Sequence, residues 1–132
     1  MAEPVTGRCA CGLIRYSAQN SALWAMHCHC ESCRRVTGSA FTSFLGYGRG
    51  QVTWVGNLAH RNSSPGVTRS FCKDCGTPLS YRSTRWPGEV HLYAATLDQP
   101  ERYKPTAHVF WAERLPWLQV SDDLPKHEDS AP

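Results

Sequence analysis

The 132-residue sequence predicts one domain of mostly β structure, built from short strands. Short segments of alternating apolar and polar residues recur along the chain, and glycine, proline or asparagine residues separate them. A Cys-x-x-Cys-Gly turn at residues 72–76 lies between two such segments, as expected for a hairpin. Only residues 31–37 have the pattern of a helical turn, which Gly38 would close.

The remaining elements follow from the same patterns. The strand candidates are residues 13–18, 22–26, 41–47, 51–55, 68–71, 79–82, 90–96, 107–112 and 117–120. We expect a turn or mobile loop at residues 62–66 and irregular structure at 98–105. The predicted domain covers residues 7–125, between a flexible lead-in (1–6) and a flexible acidic tail (126–132).

The charge of the chain argues against a nucleic-acid partner. The formal net charge is +3 with neutral thiols, and seven thiolates with two zinc ions would bring it close to zero. No basic stripe with interleaved aromatic residues is present. The sequence shows no apolar run of membrane-spanning length and no signal-peptide pattern, so we expect a cytoplasmic protein. In that compartment thiols bind metals or react, and seldom form disulfides.

Three cysteines within six residues form the stretch around which the chain is organised: Cys28, Cys30 and Cys33. Thiolates this close in sequence can turn toward one soft divalent ion such as zinc. A structural zinc has four protein ligands, whereas a chemically active one keeps a position open. The candidates for a fourth ligand are His27, His29, His60, His91 and His108.

The sequence context disfavours three of these histidines as metal ligands. His27 and His29 alternate with the cysteines, so an extended backbone points them away from the metal. His108 lies in an apolar stretch, where a lone histidine is more often a satisfied core or pocket residue.

The other four cysteines predict a separate structural zinc site. Cys9 and Cys11 form one short pair and Cys72 and Cys75 another, and a glycine follows each pair directly. Two such pairs far apart in sequence commonly clamp one zinc ion. A metal held in this way closes a long loop, so folding should depend on it.

The three-part cysteine pattern resembles the family of glutathione-dependent formaldehyde-activating enzymes, which shares its domain with centromere protein V. The resemblance is carried by Cys9-x-Cys11-Gly12, by Cys28-His29-Cys30-x-x-Cys33-Arg34 with Gly38, and by Phe71-Cys72-x-x-Cys75-Gly76 with Leu79. Downstream, Leu97-Asp98-x-Pro100, Pro105-x-x-His108 and Pro116-Trp117 resemble the C-terminal half of that family. The match runs from about Gly7 to Pro125.

This resemblance implies a β-tent fold of small stacked antiparallel sheets held by zinc. It implies two zinc ions per chain, a structural one on the outer four cysteines and a second with an open position on Cys28, Cys30 and Cys33. The implied activity is that of a carbon–sulfur lyase of the S-(hydroxymethyl)glutathione synthase type. Its substrates would be a glutathione-type thiol and a small aldehyde.

The family pattern marks no residue that contacts glutathione, so we consider the two arginines after Cys33. Glutathione carries two carboxylates, and one of Arg34 and Arg35 should lie at the mouth of a pocket beside the metal. Consecutive helical residues point about 100° apart, so only one can face the metal, and we favour Arg34. In the alternative interpretation, both are solvated arginines on a short helix.

Two other functions remain open. The first is a non-enzymatic zinc domain that binds a protein or nucleic acid, which a fourth protein ligand at the central cysteines would favour. The second is thiol redox chemistry or metal buffering at Cys28, Cys30 and Cys33. A metal site open to solvent would instead favour the enzyme.

Overall fold

The computed structural model describes residues 3–19 and 21–131, and its architecture is mainly β, as predicted. Within these residues the strands are β1 (Val5–Arg8), β2 (Arg15–Ala18), β3 (Trp24–Cys28), β4 (Thr42–Gly48), β5 (Val52–Val55), β6 (Ala59–Ser64), β7 (Val67–Phe71), β8 (Pro78–Ser83), β9 (Glu89–Tyr93) and β10 (His108–Val109). The α-helix α1 spans Glu31–Thr37, the range expected for the helical turn. Short 3-10 turns occur at Arg49–Gln51, Ala94–Thr96, Pro100–Arg102 and Trp111–Glu113.

The strands form two sheets. A three-stranded sheet has the order β1-β2-β5, and a seven-stranded sheet has the order β10-β3-β4-β9-β8-β7-β6. Neighbouring strands are antiparallel except for β10, which runs parallel to β3. The prediction of stacked sheets with one short helix is confirmed, and the parallel edge pair is an addition to it.

The main core lies between the two sheets because β4 and β9 alternate between two apolar faces. Leu45 and Leu92 point into this core, together with Tyr16 and Ala18 from the small sheet. The neighbouring residues Phe44 and Tyr93 point to the opposite face, where they pack with Cys28 and Cys33. The large sheet therefore has its core on one side and the central cysteines on the other.

One row of residues crosses five strands on the cysteine side of the large sheet. Trp24, Gly46, His91, Tyr81 and Arg69 are successive register partners from β3 to β7. Directly opposed residues share a face of the sheet. A side chain at Gly46 would collide with the indole of Trp24, so glycine leaves room for that ring.

Several predicted elements differ in the structure. The ends of the strands expected at 90–96 and 107–112 form the 3-10 turns Ala94–Thr96 and Trp111–Glu113. The loop expected at residues 62–66 is mostly the end of β6, which pairs with β7 through a bulge and turns only after Ser64. The strand expected at 117–120 does not form, and Trp117 is exposed. The free edge of β10 that such a strand could use is instead paired with residues near Lys126.

The two end segments expected to be flexible make backbone pairs. β1 starts at Val5 and pairs with β2. Near the other end, the amides of Phe110 and Trp111 each donate to a carbonyl of the tail at 3.0 Å, those of Asp129 and His127. The other residues of these two segments, 1–2 and 132, lie outside the described residues. No helix in the described part of the chain is long and apolar enough to cross a membrane.

Candidate metal centres and the cavity beside them

Four cysteines converge from two hairpins, one in each sheet. Cys9 and Cys11 lie between β1 and β2, and Cys72 and Cys75 lie between β7 and β8. Their sulfurs lie within 4.8 Å of one another, with Cys11 Sγ 3.6 Å from Cys9 Sγ and 3.7 Å from Cys72 Sγ. Tetrahedral zinc with bonds of about 2.3 Å holds its sulfur ligands roughly 3.8 Å apart. The donor set therefore fits a closed four-thiolate metal site.

The local backbone supports these thiols as anions. The Ile14 amide donates to Cys9 Sγ at 3.3 Å, which stabilises a thiolate there. Gly12 and Gly76 have φ values of 81° and 78°, a conformation that side-chain-bearing residues rarely adopt. The glycine after each cysteine pair thus serves the tight turn that brings the pair to the metal position.

The central three cysteines converge where β3 passes into α1. Cys28 ends β3, Cys30 caps the helix by accepting from the Cys33 amide at 3.4 Å, and Cys33 lies in the first turn. Their sulfurs also lie within 4.8 Å of one another. Among the described residues, no histidine or carboxylate joins this group. The structure thus brings three thiols together here, where they could hold a metal ion.

These three thiols cannot all ionise without a cation. Hydrogen bonds from Cys28 and Cys33 lower the pKa of the Cys30 thiol to about 2. The contact with Cys30 in turn raises the pKa of Cys28, because the shared proton must remain on one sulfur. A divalent metal ion removes this conflict by stabilising all three thiolates together. The donor chemistry therefore fits a zinc ion with three protein ligands.

A buried arginine that we did not predict lies against this cluster. Arg69 on β7 is 7% exposed and directs both terminal nitrogens at Cys33 Sγ, at distances of 3.8 and 3.7 Å. The same guanidinium donates to Tyr93 Oη at 2.9 Å, Ser32 Oγ at 3.3 Å and Ser63 Oγ at 3.1 Å. Burial alone would lower the pKa of Arg69, but Cys33 and Tyr93 outweigh it and the pKa rises. Its positive charge offsets the single negative charge of a three-thiolate zinc site.

One feature of the sequence could have indicated that Arg69 contacts a buried anion. Val67, Arg69 and Phe71 alternate along β7, so they share one face of the strand. An arginine between two apolar residues on one face is out of place unless a buried anion meets it. Only the pairing of β7 with β8 and β9, however, brings Arg69 to the cysteines.

The histidines beside the cysteines form a separate hydrogen-bonded chain. His29 is fully buried, and its Nε2 lies 2.8 Å from His108 Nδ1, while His108 Nε2 lies 2.9 Å from Asp122 Oδ2. His27 Nδ1 lies 2.8 Å from Ser43 Oγ. Burial lowers the pKa of His29 to about 4, so this ring is neutral near pH 7. Within the described residues, neither His27 nor His29 joins the three thiols, as expected from the alternation of an extended segment.

The central cysteines open into a cavity of about 1140 Å³, slightly larger than the roughly 300–1,000 Å³ of a common small-molecule site. Its aromatic wall consists of Trp24, Phe44, Tyr81, Trp86, His91 and Phe110. Its charged lining residues are Glu31, Arg35, Arg85, Glu89 and Glu113. Cys28, Cys30 and Cys33 all line the cavity, so a ligand inside it can reach the cluster.

Of the two arginines after Cys33, the cavity is lined by Arg35. Arg35 is exposed and forms an ion pair with Glu31 at 2.8 Å. Arg34 is half-buried and donates to the Glu113 carbonyl at 3.3 Å. The role of Arg34 as a contact for a substrate anion stays a prediction, and the geometry offers Arg35 as the alternative.

The fold and the two clusters together define a class of protein: a cysteine-rich, mainly β domain with a four-thiol cluster and a three-thiol cluster beside a cavity, both of which could hold a metal ion. The family model for the glutathione-dependent formaldehyde-activating enzyme matches residues 4–113. This chain belongs to that family, as its cysteine pattern predicted.

Individual relatives agree with this assignment. A Halomonas elongata protein, provisionally named a glutathione-dependent formaldehyde-activating enzyme, is 26% identical over 129 residues, covering 86% of this chain and 79% of the relative. An uncharacterised lyase of Schizosaccharomyces pombe is 35% identical over 78 residues, covering 59% of this chain and 57% of the lyase. The crystal structure of a Rhodobacter sphaeroides protein shares the fold, with a TM-score of 0.59 at 22% identity, over 70% of this chain and 87% of that one.

Proposed function

We propose that this protein binds two zinc ions and uses the site at Cys28, Cys30 and Cys33 to join a glutathione-type thiol to a small aldehyde. The observation that carries the proposal is the three-thiol cluster at the wall of a large cavity, with no further ligand among the described residues. Family membership supports the choice of glutathione and formaldehyde as the substrate pair. The activity is that of a carbon–sulfur lyase, since the same step runs in reverse.

The reaction conserves its atoms without any other reactant. In the joining direction the thiol gives up its proton, its sulfur bonds to the carbonyl carbon, and the carbonyl oxygen takes up a proton to become a hydroxyl group. In the reverse direction the carbon–sulfur bond breaks and the aldehyde leaves. A zinc ion at the three-thiolate site would supply the positive charge beside which a substrate thiol ionises at neutral pH.

The protein's own residues prepare the site for a further anion. Three cysteine thiolates repel a fourth negative sulfur, and the buried guanidinium of Arg69 offsets part of that repulsion through Cys33. The aromatic wall excludes water from one side of the cavity, which strengthens this electrostatic effect. Arg69 is thus a positioning residue, since it acts through Cys33.

We expect the purified zinc protein to accelerate adduct formation between glutathione and formaldehyde. Exchange NMR, which follows the formation and breakdown of S-hydroxymethylglutathione, measures this rate against the spontaneous reaction. An acceleration of at least about tenfold, or roughly 1.4 kcal/mol off the barrier, would be clear in such spectra. Cys30→Ser should return the rate to the spontaneous one, because it removes a ligand of the open site. If the wild-type rate equals the spontaneous rate over a panel of thiols and aldehydes, this protein does not catalyse the reaction.

A further inference from the structure

Glu89 brings a carboxylate into the aromatic end of the cavity. Its Oε1 accepts hydrogen bonds from Trp24 Nε1 at 3.0 Å and from His91 Nε2 at 2.9 Å. The Glu89 side chain is only 26% exposed. In the described part of the chain, no lysine or arginine forms a salt bridge with it, and its Oε2 has no hydrogen-bond partner. Both partners of Oε1 can be neutral, so a negative charge can stand uncompensated at this wall.

His91 does not supply the missing positive charge. It is buried, its ring stacks on Tyr81 at 5.5 Å and meets the edge of Trp24 at 4.5 Å. Burial lowers the pKa of His91 by more than Glu89 raises it, so the ring is neutral near pH 7. Because Nε2 donates its proton to Glu89, the neutral ring holds the carboxylate in place without cancelling its charge.

Arg85, the sequence neighbour of Trp86 in the cavity lining, is engaged elsewhere. Arg85 lies over the ring of Trp86, 4.9 Å from its centroid, and donates to Ser130 Oγ at 3.1 Å. It forms no salt bridge with Glu89 within the described residues. A half-buried carboxylate without a counter-charge is costly, and a bound cation would relieve that cost.

From this arrangement we infer that Glu89, His91 and Trp24 form a subsite for an ammonium group of the substrate. Glu89 Oε2 is a free acceptor for the N–H groups of a primary ammonium, and His91 orients the carboxylate through its bond to Oε1. Trp24 and Trp86, which line the same part of the cavity, offer aromatic rings to which a cation is attracted. The inference rests on the proposed function, and it narrows the substrate class to thiols that carry an amino group.

The position of this subsite sets the length of the substrate. Trp24 precedes Cys28 by four residues on β3, which separates them by about 13 Å along the strand. Both side chains line the cavity, so the subsite and the cysteine cluster lie at different ends of it. An extended tripeptide spans roughly 10 Å. A tripeptide-sized thiol therefore comes within about 3 Å of this separation, a gap that side chains reaching in from each end can close, whereas a two-carbon aminothiol falls far short of it.

The test uses a ligand whose sulfur cannot react or bind metal as a thiolate. Calorimetric titration of S-methylglutathione and of its N-acetyl derivative into the zinc-loaded wild-type protein compares the two forms, which differ in the ammonium group. We expect the amino form to bind at least about tenfold more tightly, as for one charged hydrogen-bonded contact. Glu89→Gln should lose this preference by weakening the amino form alone. Equal binding of the two forms by the wild-type protein, or no detectable binding of either, would overturn the subsite.

Glu31→Gln is the matched control. Glu31 also lines the cavity, but it is exposed and already paired with Arg35, so its loss should change both affinities less than about twofold. If Glu89→Gln and Glu31→Gln lose the preference for the amino form to the same extent, the overall charge of the cavity, and not Glu89 in particular, selects that form. If Glu89→Gln fails to fold, the wild-type comparison decides, together with Trp86→Leu, which should also reduce the preference. A Trp86→Leu protein with the full preference would then count against the subsite.

The result of the binding experiment can be distinguished from the result of the catalysis experiment. Preference for the amino form with no acceleration of adduct formation would leave the subsite standing and remove the proposed activity. Acceleration without any such preference would do the opposite.

Discussion

Cys72→Ser is expected to produce a largely unfolded protein, whereas Cys30→Ser should fold and keep one zinc ion of two. Cys72 belongs to the four-thiol cluster that ties the β1–β2 hairpin of the small sheet to the β7–β8 hairpin of the large one. A structural zinc contributes on the order of 10 kcal/mol or more, which is comparable to the whole stability of a domain this size. Cys30 belongs to a cluster confined to residues 28–33. Loss of its metal should therefore leave the packing of the two sheets intact.

Elemental analysis together with near-ultraviolet circular dichroism decides between the two roles. The wild-type protein should contain two zinc ions per chain without added metal, and Cys30→Ser one. Cys72→Ser should lose the near-ultraviolet signal of the core residues Tyr16 and Tyr47. If both variants unfold to the same extent, or if the wild-type protein holds a single zinc, the division between a structural and an open site is wrong.

Arg69→Met is expected to weaken zinc binding at the central cysteines by about 10- to 100-fold, the usual effect of removing an outer partner of a metal ligand. The substitution keeps an apolar stem of similar length but removes the donors to Cys33 and Tyr93. The cluster then loses the only guanidinium hydrogen-bonded to its sulfurs in the described residues. Arg69→Lys should give an intermediate loss, since one ammonium cannot reach all the partners of a planar guanidinium.

Competition with a chromophoric chelator measures the zinc affinity of the central cysteines in each variant. Arg61→Met is the matched control, because Arg61 is the direct cross-strand partner of Arg69 on β6 but is exposed. We expect its zinc affinity to equal that of the wild-type protein. Unchanged affinity in Arg69→Met, or the same loss in Arg61→Met, would show that the buried guanidinium has no part in holding the metal.

The features that could be predicted from the sequence depend on the spacing of residues within a few positions of one another. Tight turns suffice to bring together the thiols within each short segment, and the structure gathers the three segments into two clusters. The meeting of the pair at Cys9 and Cys11 with the pair at Cys72 and Cys75 also requires the two sheets to pack together. The helix bounds follow from Cys30 as its cap and from Gly38, which ends it at φ 72°. The separation of His27 and His29 from the central thiols follows from the alternation of an extended segment.

The cavity could not be predicted in this way, because it depends on strand register. Trp24, His91, Tyr81 and Arg69 come from four strands spread over 68 residues, and they share a row only after β3, β4, β9, β8 and β7 pair. A shift of one residue in any pair would send its side chains to the other face. No local pattern encodes that choice.

The packing of the C-terminal segment against β10 could not be predicted from the sequence either. Residues near Lys126 pair with β10, and Asp122 accepts from His108. Their composition is acidic and polar, which by itself suggests a solvated tail. What holds them is the unpaired backbone of a two-residue edge strand, a feature that only the folded sheet creates.

Cadmium NMR of the cadmium-substituted protein tests the central claim most directly, that the second metal has three protein thiolates and accepts a substrate thiol. Two resonances are expected: one for a metal with four sulfur ligands at Cys9, Cys11, Cys72 and Cys75, and one for a metal with three sulfurs and a lighter ligand. Glutathione should move only the second resonance into the four-sulfur range, and S-methylglutathione should not. Two four-sulfur resonances before any thiol is added, or a second resonance that glutathione leaves in place, would contradict this account.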